Sequence, residues 1–259
     1  MATKVLSDYL KDGFSTSQIS DLFLEVNDSK FQTEPAEARK KAQRLFMIGL
    51  GNINTLFPKV GTKSSSTDPR DYIERWLKRY YKAHKKRPSL AHANPKGSAA
   101  DPSLAVMVKE AEAYSTEQID LAIKHHNLFM AAENVQGSLL EEYISLKTEN
   151  LGWIWAEGET MRACDFVRQN EGEPFPRYVQ IKNRDNTENS SSSAIREGTQ
   201  IQKWNRLKTR KKKGVPYATF NWSELNKLML VPEGAQMSEE DYESFLSKVA
   251  RNNPNLLEP

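Results

Sequence analysis

Cys164-Asp165-Phe166-Val167 and Tyr178-Val179-Gln180-Ile181-Lys182, separated by a turn-rich spacer, decide how this chain is read. Both runs carry the β-branched and aromatic residues of strands, so they predict neighbours in one sheet. An Asp on one strand and Gln-Ile-Lys on the next can bring a carboxylate, an amide oxygen, a backbone carbonyl and an ammonium to one point. Asp165, Gln180 and the Ile181 carbonyl then become oxygen ligands for Mg²⁺, a hard cation that keeps several waters when it meets a phosphate. Lys182 would steady the attacking water or the charge that builds on the phosphate oxygens. Those residue types in that order point to hydrolysis of a nucleic-acid backbone.

Directly after Lys182 comes a run dense in short polar side chains and framed by two arginines, from Asn183 and Arg184 to Arg196. Arg pairs bidentately with guanine, Asn with adenine, and Ser binds phosphate oxygens. Asn183, Arg184, Asn186, Asn189, Ser190, Ser191, Ser192, Ser193 and Arg196 are therefore candidate DNA contacts. A serine tract is more often a solvated linker, but this one leaves the candidate catalytic strand without a gap. Further on, Ile201, Trp204 and Leu207 recur at helical spacing, and that helix would carry Lys203 and Arg206 toward phosphates.

Around this centre the chain reads as α/β. Gly152–Ala156 and Met161–Val167 predict an antiparallel hairpin, Tyr178–Asn183 the third strand, Tyr217–Phe220 a further strand, and Trp222–Leu230 a helix or strand. Upstream, the pattern is helical. Val5, Tyr9 and Leu10 form first turns, Ser15 to Ser17 offers a cap for Ile19 to Val26, and a helix covers Pro35–Ile53. Gly61–Pro69 reads as a loop. Arg70–Lys86 carries Tyr72, Ile73, Trp76, Leu77, Tyr80 and Tyr81 on one face and basic residues on the other, which fits a core stripe and a DNA-facing helix equally well. Leu90–Pro102 is a joint, Leu104–Tyr114 a helix, and Ser115-Thr116-Glu117-Gln118 a capping sequence for the next. Phe129–Leu146 is helical, with Gly137 admitting a close neighbour. Adjacent His125 and His126 point in different directions and read as surface residues.

Met130-Ala-Ala-Glu-Asn-Val-Gln-Gly-Ser-Leu-Leu-Glu-Glu-Tyr-Ile, the unbroken run from Gln180 to Arg196, Gly198-Thr199 and Lys203-Trp204 resemble the type II restriction endonucleases of the SinI family. The similarity spans roughly residues 88–230, and the first 87 residues carry none of it. The resemblance implies a PD-(D/E)XK nuclease core with a central mixed sheet flanked by helices, preceded by an N-terminal helical region. The division is then 1–87 and 88–259. It further implies Mg²⁺ as cofactor, double-stranded DNA as substrate, a homodimer with each subunit cutting one strand of a short near-palindromic site of GGWCC type, and a cognate DNA methyltransferase as genetic partner. Carried over by motif, Asp165 binds the metal, Gln180 completes its shell, Ile181 offers its carbonyl, Lys182 polarises the water, and Glu141 supports from its helix, with Glu133 as runner-up. Gln180 departs from the acidic residue usual in that position, so a second metal should be held less well.

Composition sets weaker bounds. With 259 residues the chain is long enough for a sizeable core, and a net charge of +3 announces no partner. Between Arg177 and Lys213, however, eleven Lys or Arg stand against three Asp or Glu. One cysteine, Cys164, excludes an internal disulfide and a thiolate-rich zinc site, which predicts a reducing cytoplasm. No apolar run reaches the length needed to span a bilayer. The rival readings are a non-catalytic DNA-binding or repair accessory protein on the same fold, and a helical interaction protein.

Overall fold

The N-terminal elements of the computed structural model pack a helical layer on one face of a sheet; the residues described are 2–62, 67–92, 101–185, 193, 195, 196 and 199–257. Helix α1 (Asp8–Lys11) precedes α2 (Thr16–Lys30), which starts where the cap was expected. Ser15 Oγ accepts the Gln18 amide while Gln18 Oε1 accepts the Ser15 amide, so two otherwise unpaired donors are satisfied reciprocally. Helix α3 (Ala36–Leu50) ends earlier than the expected Ile53, at Gly51, and a short α4 (Ile53–Leu56) follows. The Gly61–Pro69 segment is not all loop. Strand β1 (Ala2–Lys4) pairs antiparallel with β2 (Val60–Thr62), a pairing too short to announce itself as alternation. In α5 (Arg70–Lys85) the whole stripe from Tyr72 to Tyr81 is buried, and the Trp76 indole donates to the Thr160 carbonyl at 2.9 Å. That apolar face belongs to the core.

A five-stranded mixed sheet follows, with strands in sequence order: β3 (Ile154–Trp155), β4 (Phe166–Arg168), β5 (Arg177–Arg184), β6 (Ile201–Lys212) and β7 (Val215–Phe220). β3, β4 and β5 pair antiparallel, β5 and β6 parallel, β6 and β7 antiparallel. The expected hairpin is present but shorter, because residues 161–165 lie outside β4. The helix expected around Ile201 is strand β6. Trp204 and Arg206 alternate on one of its faces, where Trp204 meets Trp222 of helix α8 (Trp222–Leu228) at 5.2 Å. The opposite face holds Ile201 beside Tyr178, and both join Val167 and Ile154 in the cluster that buries Phe23, Phe46 and Trp76 of the N-terminal helices.

Residues Met1–Lys86 and Ile144–Glu239 form one compact unit, Arg87–Tyr143 and Glu240–Pro259 a second. In the second, α6 is Pro102–Glu112 and α7 a single helix, Thr116–Thr148, uniting the two segments read separately. The Ser115 and Gln118 capping box opens α7 as expected. Leu139 packs with Val249 and Leu256, the first of these from α9 (Glu239–Asn252). A Cβ added at Gly137 would meet nothing within 4 Å among the described residues, so the close neighbour expected there is not found. His125 and His126 are exposed. No helix among the described residues is long and apolar enough to cross a membrane.

Candidate active site

Asp165 stands one residue before β4, where the strand pairing changes. Its amide donates to the Val179 carbonyl at 2.9 Å, its carbonyl accepts from the Ala156 amide at 2.8 Å, and its Oδ2 accepts the Ile181 amide at 2.7 Å. A side-chain oxygen thus occupies the place that a backbone carbonyl would take in a longer β4. The carboxylate is pinned against the Gln180-Ile181-Lys182 strand, joining the two runs read from the sequence. Burial pushes its pKa up from 3.8 to about 6, against the lowering effects of the Ile181 amide and the Lys182 ammonium. Cys164 beside it is buried, its thiol donates to the Phe166 carbonyl at 3.3 Å, and burial pushes its pKa well up, which suits a packing residue rather than a nucleophile.

Gln180 and Lys182 alternate onto the same face of β5. The parallel register sets Lys203 beside Gln180 and Asn205 beside Lys182, so β6 contributes two side chains to the same face. Gln180 is 3% exposed, and its Oε1 accepts from Arg196 Nη1 at 2.6 Å. Arg196 is therefore tied to strand β5 itself. Asn205 Oδ1 is enclosed and finds no hydrogen-bond partner among the described residues. An enclosed unpaired acceptor is costly, and one beside Lys182 is suited to an ammonium or a bound water. The sequence offered no signal for Asn205 while residues 201–207 were read as a helix.

Among the described residues, no group of three or more His, Cys, Asp and Glu side chains gathers as a metal cluster. The donor set nevertheless fits Mg²⁺, which uses one or two carboxylates and leaves its other positions to water and phosphate. A desolvated carboxylate whose pKa is raised is also one that a cation would relieve. Glu141, half-buried on α7, belongs to the second unit, as does exposed Glu133. Glu142 is buried there, accepting the Ser89 amide at 2.8 Å and its hydroxyl at 2.6 Å.

Of the candidate DNA contacts, Asn186, Asn189, Ser190, Ser191 and Ser192 lie outside the described residues. Ser193 and Arg196 are half-buried, Arg184 is exposed, and Ile195 packs against the core. Lys203 and Arg206 sit on strand β6, not on a helix. Their alternation sends them to opposite faces. Lys203 shares the face of Lys182, whereas Arg206 is 5% exposed, donates from Nε to Asn183 Oδ1 at 2.8 Å and pairs through Nη1 with Glu239. Glu239 in turn accepts from the Trp222 indole at 2.7 Å.

The sequence pattern of the SinI restriction endonuclease family matches residues 56–251. The chain is 38% identical over 130 residues to the type II restriction enzyme Eco47I of Escherichia coli, which covers 50% of this chain and 53% of that one. It is 35% identical over 138 residues to the type II restriction enzyme SinI of Salmonella infantis, covering 52% and 55%. The chain spans about half the length of the curated relatives it matches. The match takes in Asp165, the Gln-Ile-Lys strand, the polar run and β6 together, and the chain belongs to the SinI restriction endonuclease family.

Proposed function

We propose that this chain is a type II restriction endonuclease that hydrolyses duplex DNA at a short near-palindromic site with Mg²⁺ as cofactor. The observation that carries the reading is the bond from the Ile181 amide to Asp165 Oδ2, which holds the desolvated carboxylate against the strand bearing Gln180 and Lys182. Asp165, the Gln180 side chain and the Ile181 carbonyl are the oxygen set for the cation. When bound, Mg²⁺ supplies charge stabilisation at the phosphoryl oxygens and a water of lowered pKa. Lys182 orients and polarises the attacking water, with Asn205 beside it to fix the ammonium. Arg196 holds Gln180 in place. Glu141 enters through the resemblance alone.

The polar run Asn183–Arg196 reads the base edges, and Lys203 binds a phosphate. Arg206 is assigned instead to bracing Asn183, because its guanidinium is buried and engaged. The sheet, three antiparallel strands followed by a parallel one, fits a PD-(D/E)XK nuclease part assigned to residues 88–259, and the helices packed on its face come from residues 1–87, the helical support. By the resemblance the site is of GGWCC type, the working form a cytoplasmic homodimer, and a methyltransferase its genetic partner. The test is a digest of a sequenced plasmid with and without Mg²⁺, with the fragment ends mapped. Discrete ends at a common short sequence support the reading; intact plasmid that the chain nevertheless binds site-specifically would turn it to the non-catalytic alternative.

A further inference from the structure

Past Leu207, where the Thr209 amide donates to Asp185 Oδ2 at 3.0 Å, β6 among the described residues pairs only with β7 and continues as a two-stranded ribbon, paired from Leu207 with Phe220 to Lys212 with Val215. Lys213 and Gly214 close it in a two-residue turn with φ of 51° and 83°, the left-handed pair that matches strand twist. Every residue from 209 to 218 is exposed, Val215 at 66% and Tyr217 at 48%. A lone hairpin with both broad faces in water is marginal. At its end Arg210, Lys211, Lys212 and Lys213 follow one another, and none of the four forms an ion pair among the described residues. Register sends Arg210 and Lys212 to the face of Tyr217 and Val215, and Lys211 to the face of Pro216 and Ala218. Positive charge therefore stands on both sides. A strand edge protected against aggregation needs a lysine or two along it, whereas cation on both faces of a ribbon suits a slot with phosphates on either wall.

We propose that this ribbon is a DNA-binding arm that enters the groove beside the recognition site and binds phosphates of the flanking base pairs. The inference rests on the proposed nuclease function. Lys211 lies on the same β6 face as Lys203, the neighbour of Gln180. Eight residues at about 3.3 Å each carry it roughly 26 Å away, about eight base pairs at 3.4 Å. That passes the edge of a short site, and a major groove about 12 Å wide admits a two-stranded ribbon.

The test measures binding of the full chain by fluorescence anisotropy, without Mg²⁺, over a salt series. The duplexes carry the mapped site with flanks of about two or about ten base pairs. For the wild type the salt slope should be steeper on the long duplex by about three units for each subunit bound, at about 0.9 per phosphate. A variant with Arg210, Lys211 and Lys212 each replaced by Gln should lose that difference and bind the long duplex at least tenfold more weakly, while its binding to the short duplex and its melting curve stay unchanged. Arg210→Lys, which keeps the charge, should behave as wild type. An unchanged slope in the triple variant, or no effect of flank length on the wild type, overturns the arm. A change in oligomeric mass without a change in slope assigns the ribbon to a second copy and equally overturns it. A wild type that binds neither duplex removes the nuclease reading along with the arm.

Discussion

Replacing Asp165 by Asn should make the metal-free protein more stable near neutral pH, although it removes the carboxylate proposed to hold the metal. The carboxyl titrates at about 6 in the folded chain against 3.8 for an unperturbed Asp. About two units at 1.36 kcal/mol each give roughly 3 kcal/mol as the most that ionisation costs the fold. Because the folded value is the higher one, the folded state holds the proton more tightly between about pH 4 and pH 6, and stability falls as pH rises through that window. The cost is fully present above it and absent below it. Asn keeps an oxygen for the Ile181 amide and carries no charge, so its gain over wild type should reach a few kcal/mol at about pH 8 and vanish near pH 4. Urea denaturation of both proteins in chelator at the two pH values measures this. A gap of the same size at both pH values, or an Asn variant less stable at pH 8, would refute the desolvation argument. Added Mg²⁺ should narrow the gap by stabilising wild type alone, about 2.7 kcal/mol at a hundredfold excess over Kd.

Lys182→Ala should lower single-turnover cleavage by about 100-fold or more while leaving DNA affinity within a few-fold, since its ammonium serves the reacting phosphate; near wild-type cutting would misplace the site. Arg196→Ala should depress the cleavage step more than binding, because it releases Gln180, whereas Arg184→Ala should cost about 1 to 3 kcal/mol in cognate affinity. The reverse pattern in quench-flow and competition assays would make Arg196 the base reader. Arg206→Ala should destabilise the fold by about 3 to 5 kcal/mol, as expected when one partner of a buried ion pair is removed, whereas Lys203→Ala should leave stability alone and flatten the salt slope of binding by about one unit. An Arg206 variant with normal denaturation and a flattened slope would return that residue to the phosphate contacts.

Strand β5 was legible because it obeys the alternation of a strand with one polar and one apolar side, and the approach of Asp165 to it was legible from the short strand run that follows that residue. The helix starts at Ser15 and Ser115 were legible because the capping box is a local code. β6 was misread for a physical reason. Its buried face holds Arg206, whose charge is neutralised by Glu239 from 33 residues away, and its other face holds Lys203 and Asn205. Both sides therefore look polar in sequence, and the spacing of Ile201, Trp204 and Leu207 imitates a helix. Gly214, in a two-residue turn just before the strand formers Val215, Tyr217, Thr219 and Phe220, was the available signal. The bond from Arg196 to Gln180 could not be read, because Arg196 lies outside any strand and no local pattern of sequence ties it to β5.

That bond bears on what a glutamine does at the position where the resemblance leads one to expect an acid. With Gln180 neutral, the charges gathered at this face of the sheet are Asp165, Lys182, Arg196 and Lys203, a surplus of two positive charges before any ligand arrives. Such a site attracts a phosphate and repels a divalent cation. Bound phosphates offset that surplus, so DNA and metal should each favour the other, by the same factor in both directions as linkage requires. Calorimetric titration with Ca²⁺ in place of Mg²⁺ should give weak binding to the free protein and at least tenfold tighter binding to the complex with a short duplex. Arg196→Ala should tighten the first and shrink the ratio, and Gln180→Glu should do the same by placing a negative charge beside the guanidinium. Equal cation affinity with and without DNA in the wild type would show that the positive surplus does not reach the metal position, and the guanidinium on Gln180 would then be no more than a brace for the loop.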